Sequence, residues 1–320
     1  MMEESITMAI LGPVSTGKST LLNSLFCDTL SEMKRKRTTM LPQIYTMSNN
    51  QITDSIENIY SKNKESNEQI FNSRMENTFN ITDFKELIYH VKPLKDFISL
   101  DKKYTYSILD MPGLNDQNSD LYYDYIRKIS KRIDIYIILY DVQSSLNTTD
   151  EVKILSFITE LIKENEHGYL NIVINKCNDF IFKDPNEIDL CNSQEDLFDI
   201  ADDELKDLYN QAHNTAKDIC KDINWTITPL CTNKLYVYRT LKHNPKGNIA
   251  EAELDIIIKE DIGKSELKKL INHDMKKKYI IDKLKKDKNM YESAINHSKI
   301  YFRHHFHIQK QYSKYYNQSH

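Results

Sequence analysis

Six consecutive apolar or β-branched residues, Ile6 to Leu11, open the chain. A short glycine-bounded loop follows, and then an apolar helical face at Leu21, Leu22, Leu25 and Phe26. The same alternation continues. QIYTMS after Pro42 reads as a strand, and Tyr104 to Leu109 as another that ends in Asp110. A polar helix is predicted over 117–131. Ile133 to Tyr140 is the strongest strand, and its near-continuous apolar character suits a central strand covered on both faces. Asn147 to Glu151 starts a helix that runs to about Glu166 and is ended by Gly168. Strands at Tyr169–Ile174 and Trp225–Leu230 and a helix from about Asn233 complete the series. Such alternation predicts an α/β fold with a mostly parallel central sheet and helices on both faces.

Two stretches break the pattern. Residues 49–98 contain no glycine and mix Asn, Glu and Lys with Ile and Phe, which predicts a mostly helical insertion. A second helical insertion is expected over 176–223, where Asp184 to Leu208 holds ten carboxylates against Lys206 alone and reads as a solvated face. From Pro245 no comparable strand follows, so residues 1–244 are expected to form one domain and 245–320 a helical C-terminal region. In the latter, Lys264 to Lys288 carries ten lysines against four carboxylates. It is expected to expose them while Leu267, Leu270, Ile271, Tyr279, Ile280 and Leu284 pack inward.

Composition adds limits. The 320 residues suffice for a sizeable core, and a net charge of −4 gives no reason to expect nucleic acid. The five cysteines have no C-x-x-C spacing, which speaks against a disulfide framework or zinc site and for a reducing compartment. The longest apolar stretch is too short to span a bilayer and the N-terminus lacks a signal core, so a cytoplasmic, soluble chain is expected. His304, His305 and His307 have no partners at metal-ligand spacing.

The scarce glycines, 6 in all, point to the chemistry. Gly12-Pro13-Val14-Ser15-Thr16-Gly17-Lys18-Ser19 matches G-x-x-x-x-G-K-[ST] between a strand and a helix. Its backbone amides and the helix N-terminus suit phosphate, Lys18 would reach the β- and γ-phosphates, and the Ser19 hydroxyl would bind Mg²⁺. Asp110-Met111-Pro112-Gly113 lies at a strand end, 92 positions after Lys18. Its aspartate would hold Mg²⁺ through water and the Gly113 amide would sense the γ-phosphate. Thr38 and Thr39 lie in the loop before the next strand, where a switch threonine would complete the Mg²⁺ shell. Asn175-Lys176-Cys177-Asn178-Asp179 is close to the guanine-reading N-K-x-D pattern, but Asn178 stands at its fourth position and Asp179 one residue late. Guanine offers two donors, N1–H and an amino group, and one carboxylate accepts both. An asparagine presents a donor where an acceptor is needed. Either Asp179 replaces it through a bulge or base specificity is changed. In the loop after the last strand, Cys231 or Thr232 would give an amide to guanine O6.

Together these residues resemble the GTPases of the dynamin superfamily. The long Lys18–Asp110 spacing, the D-x-P-G form, Thr39 followed by Pro42, Asp134 and the Ser145–Glu151 run carry the resemblance over about residues 1–240. It implies a P-loop GTPase domain that uses GTP and Mg²⁺. The implied nucleotide site is Gly12, Val14, Ser15, Thr16, Gly17, Lys18, Ser19, Thr20, Asp110, Gly113, Asn175, Lys176, Asn178, Asp179 and Cys231. Ser19, Thr39 and Asp110 would be on the metal, and Lys18, Thr39 and Ser15 would act in catalysis. Dynamins have Gln-Ser where Val14-Ser15 stand, and Leu114 follows the D-x-x-G, so two usual ways of positioning the attacking water are missing. Arg35 or Arg37 would serve as an arginine finger, in cis or across a homodimer formed through the GTPase domain. The residues after Pro245 are too few for a complete stalk, and membrane binding is left open. The alternative is a nucleotide-binding interaction module with little hydrolysis.

Overall fold

The computed structural model describes residues 4–33, 39–47, 53–76, 78–79, 84–92, 104–116, 119–177, 180–182, 198–200 and 203–286. The chain enters through β1 (Glu4–Leu11), the glycine loop and α1 (Lys18–Phe26), followed by β2 (Gln43–Met47), α2 (Ile56–Met75), β3 (Leu87–Val91) and β4 (Tyr104–Asp110). Next come α3 (Ser119–Ile129), β5 (Ile135–Asp141), α4 (Thr149–Asn165) and β6 (Tyr169–Asn175). A small antiparallel ribbon, β7 (Phe180–Phe182) and β8 (Phe198–Ile200), precedes α5 (Asp203–Ile219), β9 (Trp225–Leu230) and α6 (Thr232–His243). The C-terminal elements are α7 (Glu251–Ile257), continued by a π turn over Ile258–Ile262, then α8 (Lys264–Leu267) and α9 (His273–Lys286).

Seven strands form one sheet in the order β3-β2-β4-β1-β5-β6-β9. β1 is parallel to both β4 and β5, and β5, β6 and β9 continue in the same sense. β2 runs antiparallel to β4 and takes β3 with it as a parallel neighbour. The fold is therefore α/β with a mostly parallel sheet, as the alternation predicted. Side chains alternate across β1: Ala9 and Leu11 face one apolar layer, Met8 and Ile10 the other. The first layer is covered by Ile126 of α3, Ile154 and Ile158 of α4 and Ala212 of α5. The second is covered by Leu21 and Leu25 of α1, Ile59 of α2 and Leu235 of α6. Full burial of β6 along its length follows from helices on both faces.

The stretch 49–98 is not wholly helical. α2 fills 20 residues of it, but Leu87–Val91 forms the edge strand β3. Tyr89 and Val91 are buried against Tyr45 and Met47 of β2, while Ile88 is exposed, so a half-buried edge strand was hidden by polar neighbours. The second insertion likewise holds the β7–β8 ribbon as well as α5. The helix predicted from Asn147 begins with a capping box: Thr148 Oγ1 accepts from the Glu151 amide and Glu151 Oε2 accepts from the Thr148 amide.

The C-terminal helices pack on α6 through Val237, Leu241, Leu254, Ile257 and Ile280. Ile271, expected inside, is 84% exposed because it falls in the turn between α8 and α9. Lys276 is buried and reaches Glu251 at 2.7 Å and Asp255 at 2.6 Å, and Lys277 donates to the Gly247 carbonyl. The basic stretch is therefore partly consumed in holding α9 to α7. Residues 287–320, including His304, His305 and His307, lie outside the described residues. No helix among the described residues is long and apolar enough to cross a membrane. Cys27, Cys177, Cys220 and Cys231 are buried and in no disulfide.

At the end of the sheet remote from the glycine loop, Asp134 accepts from the Thr7 amide at 2.7 Å and bonds His167 Nε2 at 3.0 Å. The Asp134 hydrogen bond raises the His167 pKa above its ordinary value, against the opposing effect of burial. A raised folded pKa stabilises the fold fully below the unfolded value and is lost as pH rises through the folded value. Because both side chains are partly exposed, the effect is under about 1 kcal/mol. Urea unfolding between pH 5.5 and 8.5 should show this loss in the native chain and not in His167→Gln.

Candidate functional site

The glycine loop lies at the C-terminal edge of β1, where parallel strands deliver their ends to one side of the sheet. Gly12 has φ 134°, and a Cβ there would meet the Leu139 carbonyl oxygen at 2.4 Å. Only glycine lets the loop start so close to β5. Gly113 is equally confined, since an added Cβ would meet Val14 Cγ2 at 2.3 Å. The D-x-x-G segment and the loop thus touch through Val14. Asn115 reinforces this contact by accepting from the Val14 amide at 2.8 Å, a role the sequence did not signal.

Inside the loop, Lys18 is buried and its ammonium donates to the carbonyls of Pro13 at 2.6 Å and Gly12 at 3.2 Å. Asp110 ends β4, fully buried, with no well-formed hydrogen bond on either oxygen and the Thr39 hydroxyl as a weak polar neighbour. Burial lowers the Lys18 pKa and raises that of Asp110, while each charge opposes the shift of the other and the Thr39 hydroxyl favours ionised Asp110. Ser19 Oγ and Thr39 Oγ1 lie 3.3 Å apart. A buried carboxylate without a well-formed hydrogen bond beside two hydroxyls is an all-oxygen donor set, and it fits a hard divalent cation of the Mg²⁺ type.

Asn175, expected at the base, has a structural use. Its amide donates to the Thr16 carbonyl at 2.8 Å and to Thr232 Oγ1 at 3.0 Å, and its oxygen accepts from the Thr232 amide at 3.0 Å. It ties the phosphate loop to the start of α6. Since the Thr232 amide is so engaged, it is not free for guanine O6, and Cys231 retains that expectation. The Cys231 thiol is buried, and burial pushes its pKa up to about 11. Lys176 has φ 68° and pairs with Asp141 at the end of β5. Leu114, buried at 1% exposure, enters the core. Asn178, Asp179, Thr38, Arg35 and Arg37 lie outside the described residues.

A cavity of about 700 Å³ gathers Val14, Ser15, Gly17, Lys18, Ser19, Thr20, Thr39, Gly113, Asn175, Lys176 and Cys231. Gly12 and Thr16 support it from the loop, and Asp110 sits buried beside Lys18 and Thr39. Asp116, Glu32 and three residues of the C-terminal helices also line it, and none was anticipated.

Residues 8–177 match the Dynamin family. The chain belongs to that family. The segments from Gly12 to Lys176 expected at the nucleotide fall inside the matched region, and Asn178, Asp179 and Cys231 fall beyond it. An uncharacterised protein of Acanthamoeba polyphaga mimivirus is 28% identical over 199 residues, 58% of this chain and 31% of the viral protein. The chain thus matches about a third of that relative's length. Among solved structures, a bacterial dynamin pair described in long-range membrane sensing and tethering shares 16% identity at TM-score 0.43, over 99% of this chain and 45% of that one. Toc33 of Arabidopsis thaliana shares 14% at TM-score 0.39, over 71% of each chain. Era of Aquifex aeolicus, bound to GDP and AlF4-, shares 17% at TM-score 0.38, over 84% of this chain and 58% of that chain.

In this dynamin-family chain, α2 grips both segments that flank the site. Asn67 Oδ1 accepts from the Met40 amide at 2.9 Å, next to Thr39. Arg74 donates to Tyr122 OH at 3.0 Å and lies 3.8 Å from Asp116. Replacing Asn175 by alanine strips three bonds from buried groups, which should cost about 2–3 kcal/mol in urea unfolding. The same substitution should raise amide exchange in residues 12–17 above that of the sheet.

Proposed function

We propose that the chain binds GTP with Mg²⁺ and hydrolyses it to GDP, slowly as a monomer and faster when two GTPase domains dimerise. The observation that carries this reading is Asp110, a buried carboxylate with no well-formed hydrogen bond on either oxygen, set beside Lys18 and the Thr39 hydroxyl. Lys18 and the loop amides bind and orient the phosphates. Ser19, Thr39 and Asp110 would hold Mg²⁺, which when bound offsets charge on the phosphate oxygens. Thr39 and Gly113 sense the γ-phosphate, and α2 carries that state to Met40 and Asp116 through Asn67 and Arg74. Ser15, exposed at the loop with φ 66°, is the loop hydroxyl offered to the attacking water. Asp179 or Asn178 reads the base with Lys176. Arg35 or Arg37 supplies the finger.

The working division is residues 1–244 as the GTPase domain and 245–320 as a helical region. The buried thiols support a reducing, intracellular setting, and no feature described calls for a membrane or nucleic acid. A second reading, a nucleotide-binding module with little turnover, is favoured by one observation. Leu114 points into the core and Val14 packs on Gly113, so neither places a polar group for water.

Calorimetric titration with GTP, XTP and ATP, each with Mg²⁺, should show a preference for GTP, and Lys18→Ala should weaken it at least about 100-fold. ATP preference, or no binding, overturns the reading. Single-turnover hydrolysis should accelerate as protein concentration rises; a flat rate near zero selects the module. Thr39→Ala should lower turnover at least about tenfold and weaken the response to Mg²⁺.

A further inference from the structure

The helices after the sheet contribute a wall to the nucleotide cavity. Glu253, Ile256 and Glu260 recur at intervals of three and four, so they occupy one face of α7 and its π turn, and all three line the cavity with Lys18, Asn175 and Cys231. α7 lies against α6: Glu253 acts electrostatically on Tyr236, and Glu260 on Cys231 at the start of α6. Asp261 pairs with Lys234 at 2.7 Å and fixes that end. Glu260 therefore flanks the loop after β9, the part of the cavity proposed for the nucleoside, and Glu253 lines the same cavity about two turns back along the same face.

The chemistry of this wall is the reverse of the phosphate loop. Carboxylates repel phosphate and accept hydrogen bonds. Glu253 Oε2 is buried and has no hydrogen-bond partner among the described residues, which is costly unless a donor arrives. Burial accordingly raises the Glu253 pKa.

We propose that Glu253 accepts a hydrogen bond from the bound nucleoside, either from a ribose hydroxyl or from the exocyclic amino group of guanine. The C-terminal helices are then part of the binding site, and nucleotide occupancy bears directly on how α7 sits against α6. This inference rests on the GTP-binding reading above.

The test is calorimetric binding of GTP, 2′-deoxy-GTP, 3′-deoxy-GTP and ITP to the full chain and to Glu253→Gln, with thermal melting as the folding control. Glu253→Gln should weaken GTP about tenfold or more while leaving the affinity of one analogue unchanged, because that analogue already lacks the donor. A deoxy analogue identifies the ribose, and ITP identifies the amino group. GTP affinity within twofold of the native chain in both Glu253→Gln and Glu253→Ala overturns the inference, as does an equal loss for all four nucleotides. If the native chain itself binds no GTP, the GTP-binding reading falls instead.

Discussion

Two opposite charges buried where β1 and β4 end set the terms for everything around them. Lys18 and Asp110 are both removed from water; burial pushes each toward its neutral form, and the charge of each opposes that shift in the other. Burying such groups is expensive unless partners arrive. Lys18 has the carbonyls of Gly12 and Pro13, whereas the carboxylate of Asp110 has no well-formed hydrogen bond. That imbalance is what the proposed polyphosphate with a divalent cation would correct: anionic oxygens for the ammonium, a cation for the carboxylate. The glycines let the loop pack against Leu139, and Gly113 against Val14, at distances that leave no room for a side chain.

Local chemistry was the legible part. The phosphate loop, Asp110-Met111-Pro112-Gly113 and the Thr148 cap are each short patterns whose backbone demands are met by neighbours in the chain. The apolar run of β5 declared its central position for the same reason. What escaped notice depends on docking. Arg74 and Asn67 lie on a polar helix, and nothing in their spacing tells that one reaches Tyr122 and the other Met40. LIYHV became a strand because β2 lay open beside it, not because its own pattern was strong. Asn175 fits the expected motif by residue type, yet its side chain is spent on joining two loops. A motif identifies a residue type and leaves its bonds to be found.

The reversed pair β2 and β3 has a mechanical side. β2 follows shortly after Thr39, the proposed switch threonine, and pairs with β4, the strand that ends in Asp110. Gln43 stands opposite Asp110 in that register. With the C-terminal half of α2 bound to Met40 through Asn67 and beside Asp116 through Arg74, the two segments proposed to sense the γ-phosphate belong to a single braced unit. A change at either is felt at the other through rigid neighbours rather than through a flexible tether.

The central place of β1 also governs how the chain is made. Glu4–Leu11 leaves the ribosome before either of its partners, Tyr104–Asp110 on one side and Ile135–Ile138 on the other. Well over 100 residues must be synthesised before the middle strand can be enclosed, roughly ten seconds or more at ordinary elongation rates. Throughout that interval a strongly apolar β segment waits with both edges open, the circumstance in which wrong pairing begins. For this protein the window of greatest exposure to aggregation comes during translation, before the site it builds has any meaning.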